Sequence, residues 1–119
     1  FRHLLELQGA EIIQPDVTHA GGITEMKRLA DLAEAYSVGV APHNSGGPLS
    51  TGASVHLAAC APSFLMLELF VREAEARVSG EAFAPEEGFL PLPDGPGLGV
   101  DLDEEEIAGC LPEGAPLWV

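Results

Sequence analysis

Ile12-Ile13-Gln14-Pro15-Asp16 is the stretch on which the reading of the fold turns. Two adjacent β-branched residues favour an extended chain. Pro15 has no N–H to give a ladder, so the strand ends close to it and leaves Asp16 at its mouth. The loop Val17-Thr18-His19-Ala20-Gly21-Gly22 follows. Apolar residues then recur at helical spacing from Ile23 to Tyr36: Ile23, Met26, Leu29, Ala30, Ala33 and Tyr36. Lys27, Arg28, Asp31 and Glu34 fall mainly on the other side and read as a solvated face. With Gly22 taken as the N-cap, Glu25 stands in the first turn, where its charge favours the helix dipole.

Working outward, the same alternation repeats. Ser37-Val38-Gly39-Val40-Ala41 is a short run of the fully buried strand type. Pro42 ends it and His43 follows. Asn44-Ser45-Gly46-Gly47-Pro48 is a loop by composition. Leu49 to Cys60 is rich in small residues and reads as a helix packed closely on a sheet, and Ala61-Pro62-Ser63 breaks it. Phe64 to Phe70 is the third expected strand and carries Glu68. On the other side of the opening stretch, residues 1–10 read as the last turns of a helix, with Gly9 as its stop.

Three strands therefore each deliver one ionisable residue near the C-terminal end. Strands alternating with helices imply parallel units with right-handed crossovers. In a parallel α/β barrel the catalytic groups sit at those strand ends. Three units make only part of a barrel, which takes about 250 residues. Alone they would leave sheet edges and apolar surface bare, so the chain reads as the C-terminal part of a larger protein. After Glu68 the pattern changes. Val71 to Val78 suits a short helix. Gly80 to Gly99 carries Pro85, Pro91, Pro93 and Pro96 and should be irregular or edge strand, and Asp101 to Ala108 suits a short acidic helix.

Composition narrows the partners. The 119 residues are 46% hydrophobic, enough for a packed core. A net charge of -14 argues against nucleic acid and anionic membranes, which select basic surfaces. Thirteen of the 19 acidic residues lie from Glu68 onward, against Arg72 and Arg77 alone. That asymmetry fits a solvated terminal segment. No apolar stretch has membrane-spanning length, and Phe1-Arg2-His3 carries no signal-peptide pattern. Two cysteines without CxxC spacing suggest neither a disulfide framework nor a structural zinc site, so a cytoplasmic location is expected.

From the residues alone, bland readings compete with functional ones. Asp16 could cap its loop, and His43 could be a satisfied loop histidine. Glu68 is the oddest, because a carboxylate in an apolar strand needs a partner or a wet mouth. His3 and His56 fall on expected helices and read as structural. Tyr36 and Trp118 read as packing, and Cys60 as a small buried hydrophobe. A zinc site from the four histidines is not expected, since no two share the close spacing of such sites.

Asp16 in QPD, the following HAGGIT, His43 in APHN and Glu68 in LELF resemble the enolase superfamily. With GFLPLPDGPGLGVDLDEEE over 88–106, the likeness is closest to its mandelate racemase branch and the acid-sugar dehydratases within it. It covers residues 1 to about 107. The resemblance implies a modified TIM barrel with an N-terminal capping domain. Residues 1–70 would be the C-terminal part of the barrel, with Asp16, His43 and Glu68 at the ends of the sixth, seventh and eighth strands. Residues 71–119 would leave the barrel and return toward the capping domain. The family's magnesium ligands and its Lys-x-Lys base motif would lie upstream, so no metal ligand is expected in this chain.

The implied activity is that of a magnesium-dependent lyase of the cytoplasm, a homo-oligomer as the intact parent, acting on a small sugar acid. The proton α to the carboxylate is removed and the β-hydroxyl is expelled. Sites of this superfamily use a Lys or His base with one or two Mg²⁺ ions. The residue types suit the task. A histidine with an ordinary pKa of about 6.5 suits a general base. Asp16 on the other ring nitrogen would fix the tautomer and stabilise the imidazolium. Glu68, when protonated, could donate a hydrogen bond to the enediolate. His19, Asn44 and Ser45, with Gly46, are candidates for substrate contact.

Racemisation of a 2-hydroxy acid is the alternative within the superfamily, and an inactive fragment lacking the metal ligands is another. Hydrolysis through Cys60 with His43 or His56 and Asp16 is a third. It is disfavoured because Cys60 is expected inside a helix and not on a strained strand-to-helix elbow.

Overall fold

The structure is a computed structural model. It describes residues 1–70, 72–80 and 82–116. The expected helix start at Val71 and the packing role of Trp118 lie outside these residues. Seven elements follow in order: α1 (Arg2–Glu6), β1 (Ile12–Ile13), α2 (Gly22–Ala35), β2 (Gly39–Val40), α3 (Pro48–Cys60), α4 (Glu73–Ser79) and α5 (Glu104–Cys110).

The α/β alternation is as expected through residue 60. β1 and β2 run parallel, with Ile12 opposite Gly39 and Ile13 opposite Val40. Each regular strand is only two residues long because prolines interrupt it. Pro15 and Pro42 lack the N–H that a ladder bond needs. The alignment nevertheless survives both prolines. His43 N donates to Pro15 O at 3.1 Å, and an isolated parallel bridge joins Asp16 to His43. The offset is 27 at both ends of the pairing, 39 − 12 and 43 − 16.

The third strand is where the structure departs from the sequence reading. Phe64 to Phe70 is no continuous strand; only Phe64 forms a bridge, to Val40. Leu65 N donates to Val40 O at 2.9 Å, and Glu68 N donates to Pro42 O at 3.2 Å. In an unbroken parallel ladder Leu67, two residues after Leu65, would meet Pro42 O. One extra residue has entered, as in a bulge. The cause is Pro42, which cannot donate to Leu65 O and so cannot hold the alignment.

The core lies on the helix side of these segments. Ile13 and Val40 pack with Leu5, Ala30, Ala33, Val38 and Ala61, and Phe64 leans on them. Of the expected α2 stripe, Met26, Ala30 and Ala33 are buried, while Ile23 and Tyr36 at its ends are exposed. The opposite face of the strands is bare: Ile12 and Leu65 are each 51% exposed. Gly39 sits between them, and a Cβ there would fall 2.3 Å from Leu65 Cδ1.

Several local expectations shift. The N-cap of α2 is Gly21, at φ 97°, and Gly22 is already the first helical residue. Both glycines of the pair have positive φ, Gly22 at 83°, a backbone that suits glycine. After α1 the left-handed residue is Gln8, at φ 50°, and not Gly9. A Cβ at Gly9 would lie 2.8 Å from Leu4 Cδ1, the end of an exposed side chain. Residues 82–99 are irregular apart from one bridge between Glu86 and Phe89. The acidic helix α5 begins later than expected because Asp103 caps it, accepting from Glu105 N and Glu106 N. Among the described residues, no helix is long and apolar enough to cross a membrane.

Candidate active site

Asp16, His43 and Glu68 meet where the three parallel segments end. The constant offset of 27 sets Asp16 beside His43. The extra residue before Glu68 does the same on the other side. Pro42 O accepts from Glu68 N, which puts Leu67 level with Pro42 and Glu68 level with His43. Without it, Leu67 would stand beside His43 and Glu68 would turn to the opposite face, since strand side chains alternate. The bulge is therefore what delivers the second carboxylate.

His43 Nδ1 and Asp16 Oδ2 are 2.6 Å apart, the short separation of a charge-assisted bond. His43 Nε2 lies 3.7 Å from Glu68 Oε2. Asp16 is buried, at 7% exposure, whereas the side chains of His43 and Glu68 are 41% and 34% exposed. The dyad thus has a dry end and an open end. Asp16 anchors the ring from beneath, and Nε2 faces Glu68 and the solvent-exposed rim.

The Asp16 carboxylate is fully engaged. Its Oδ1 accepts from Thr18 N at 2.7 Å and from Thr18 Oγ1 at 2.5 Å. Burial pushes its pKa up. The bonds from the Thr18 hydroxyl, His43 and the Thr18 N–H, with the nearby His19, outweigh burial and hold it below the ordinary carboxylate range. Asp16 is therefore ionised near neutral pH, the state in which it accepts Nδ1–H. That bond fixes the ring with Nε2 unprotonated when neutral, ready to take a proton. Thr18 is not among the residues that the sequence singles out. Its signal is the Asp-x-Thr spacing, in which the Asp side chain accepts from the backbone two residues on.

The other candidates fall in different places. His19 and Ser45 are exposed on the loops that follow Asp16 and His43. Asn44 is 2% exposed. Its backbone N–H donates to Glu68 Oε2 at 3.3 Å, and its side chain reaches Thr51. His56 bonds Leu98 O at 3.3 Å and His3 pairs with Glu6, so both hold structure. Cys60 is exposed and not buried as expected, because α3 ends there; its Sγ donates to Leu57 O. It lies roughly 18 Å along the α3 axis from Pro48, at 1.5 Å per residue. The loop from His43 joins at the Pro48 end, so the Cys60 nucleophile hypothesis has no geometry to support it.

Two cavities, of about 110 and 420 Å³, are lined by residues other than the trio. Among the described residues, no group of three or more His, Cys, Asp or Glu side chains could hold a metal ion. Both Asp16 oxygens are already bonded, so the trio itself does not fit a magnesium site.

Comparison with known proteins bears on the family and the fold. Residues 1–106 match the family "Enolase C-terminal domain-like". The chain is 37% identical to the D-galactonate dehydratase of Cronobacter sakazakii over 99% of its own length and 34% of that protein's. It superposes with a TM-score of 0.81 on an enolase structure from Agrobacterium radiobacter, bound to Na and L-malate. The identity is 43% over 89% of this chain and 31% of that one. A mandelate racemase/muconate lactonizing enzyme from Sulfitobacter sp. gives a TM-score of 0.82 at 36% identity, over 86% of this chain and 26% of that one. The chain spans about a third of the length of the curated relatives it matches. With a family match over nearly its whole length and an α/β fold shared with these structures, the chain belongs to the enolase superfamily, as a member of its C-terminal domain-like family with D-galactonate dehydratases and mandelate racemase-like proteins among its relatives.

Proposed function

We propose that this chain supplies the Asp–His base and the neighbouring carboxylic acid of an acid-sugar dehydratase. The observation that carries the proposal is the 2.6 Å contact of His43 Nδ1 with the buried Asp16 carboxylate, which leaves Nε2 free at the rim beside Glu68. In this reading Asp16, His43 and Glu68 end the sixth to eighth strands of a modified TIM barrel. Residues 71–119 form an extension toward a capping domain. The magnesium implied by the family is held by residues outside those described here.

His43 Nε2 removes the proton α to the substrate carboxylate, and the C–H electron pair moves into the enediolate. Asp16 stabilises the imidazolium that results. A positioned base of this kind contributes about 10²–10⁴-fold in rate. Glu68 stands beside the ring as the group that, when protonated, donates a hydrogen bond to the developing oxyanion. The imidazolium then returns its proton to the departing β-hydroxyl, which leaves as water, and the enol product becomes a 2-keto acid. In this reading His19 and Ser45 meet sugar hydroxyls, which their exposure on the adjoining loops supports.

The relatives named D-galactonate dehydratase support a sugar-acid substrate. The test is to incubate the protein with sugar acids and Mg²⁺, following 2-keto acid formation and optical rotation together. Dehydration gives keto acid that disappears in His43→Gln. Rotation change without keto acid would instead indicate racemisation, and turnover untouched by His43→Gln would exclude His43 as the base.

A further inference from the structure

Asn44 and Thr51 belong to no dyad, yet they are 2% and 6% exposed. Asn44 Nδ2 donates to Thr51 Oγ1 at 2.9 Å, and Thr51 Oγ1 donates to Gly47 O at 3.1 Å. A carbonyl only accepts, so the hydroxyl hydrogen is spent on Gly47 and its lone pair takes a hydrogen from Asn44. The Asn44 Oδ1 is buried with no hydrogen-bond partner among the described residues, so the amide is held through its Nδ2 alone. Thr51 N also donates to Gly47 O, at 3.0 Å. These bonds tie the 44–47 loop to the first turn of α3.

The backbone of Asn44 faces the site. Its N–H donates to Glu68 Oε2 at 3.3 Å, and the same oxygen lies 3.7 Å from His43 Nε2. Among the described residues, this N–H is the one hydrogen-bond donor to the Glu68 carboxylate; His43 Nε2, at 3.7 Å, is beyond hydrogen-bond distance. A partly exposed glutamate has several rotatable bonds, and a lone donor on a fixed loop is what selects one of its orientations.

We infer that Thr51 is a positioning residue: through Asn44 it fixes the backbone N–H that orients Glu68 beside the His43 ring. The inference rests on the reading of the trio as an acid/base set. Among the described residues, Thr51 makes no hydrogen bond to His43 or Glu68; its hydrogen bonds reach the site through the loop.

The test follows the Asn44 amide resonance in ¹⁵N-labelled protein as pH is changed, in the unsubstituted protein, Thr51→Val, Thr51→Ser and Glu68→Gln. An N–H bonded to a carboxylate shifts when that carboxylate is protonated. Glu68→Gln removes this inflection and leaves any that arises from His43. The expected result is an inflection in the unsubstituted protein and Thr51→Ser, and its loss in Thr51→Val. An inflection that persists in Thr51→Val, or none in the unsubstituted protein, overturns the inference. Where Thr51→Val does not fold, Thr51→Ala takes its place, with loss of the inflection expected and its persistence overturning the inference. Turnover that survives His43→Gln, with the amide responses as expected, sinks the dehydratase reading and leaves the Thr51 contact chain intact.

Discussion

Asp16→Asn isolates what the buried carboxylate does. The substituted amide has one orientation open to it. Thr18 N donates to Oδ1 at 2.7 Å, and a backbone N–H can only donate, so the amide oxygen must stay on that side. The NH₂ group then faces His43 Nδ1, formerly 2.6 Å from Oδ2. Nδ1 must now accept, which moves the ring proton to Nε2. The nitrogen at the rim is blocked as a base, and the imidazolium loses its counter-charge. The backbone need not move, because asparagine and aspartate have the same shape. The corresponding aspartate-to-asparagine change in a serine-protease triad lowers kcat about 10⁴-fold through the wrong tautomer. A proton-abstraction step here should fall about 10³–10⁴-fold, or about 4–5.5 kcal/mol at 1.36 kcal/mol per tenfold. The assay is exchange of the sugar-acid α-proton with deuterated solvent, with the overall fold checked by circular dichroism. An Asp16→Asn variant that folds normally and exchanges within about tenfold of the unsubstituted rate would refute the reasoning.

Three further outcomes follow from the same contacts. Thr18→Val removes the 2.5 Å hydroxyl bond to Asp16 and should lower stability by about 1.5 kcal/mol in urea unfolding; a change within experimental error would show that water replaces the hydroxyl. The lowered pKa of Asp16 means that its ionised form stabilises the fold. That contribution is complete above the unfolded value of about 3.9 and is lost as pH falls through the lower folded value. The acid limb of a stability–pH profile should therefore flatten in Asp16→Asn, and an unchanged limb would deny the linkage. Asp103→Ala deprives α5 of a cap that accepts from two backbone N–H groups and should cost about 1 kcal/mol, read as a lower urea midpoint.

How far the site could be read in advance depended on how regular the backbone is. The 27-residue interval from Asp16 to His43 equals the strand offset, so two residues expected at successive strand ends stand side by side. The interval from His43 to Glu68 carries no such meaning, because a bulge intervenes. Its one trace in sequence is Pro42, whose missing N–H releases the alignment. The rim location of Glu68 could be expected from its strand, but the device that turns it toward His43 could not. Thr18 and Asn44 show a second limit. Both act through backbone N–H groups, which every residue except proline carries, and Thr18 adds its hydroxyl, so residue type reveals at most part of the role. The exposure of Cys60 follows from where α3 stops, a boundary that Pro62 marks only to within a residue or two. By contrast the α2 stripe was legible, because Met26, Ala30 and Ala33 recur at helical spacing and bury one face.

The most direct measurement is the protonation pattern of the His43 ring, read by long-range ¹H–¹⁵N correlation NMR above the pH at which the ring loses its charge. A ring anchored by a buried, ionised Asp16 keeps its proton on Nδ1 and leaves Nε2 bare, with the order reversed in Asp16→Asn. A neutral ring protonated on Nε2 in the unsubstituted protein would contradict the account, because the atom assigned to take the proton would already hold one.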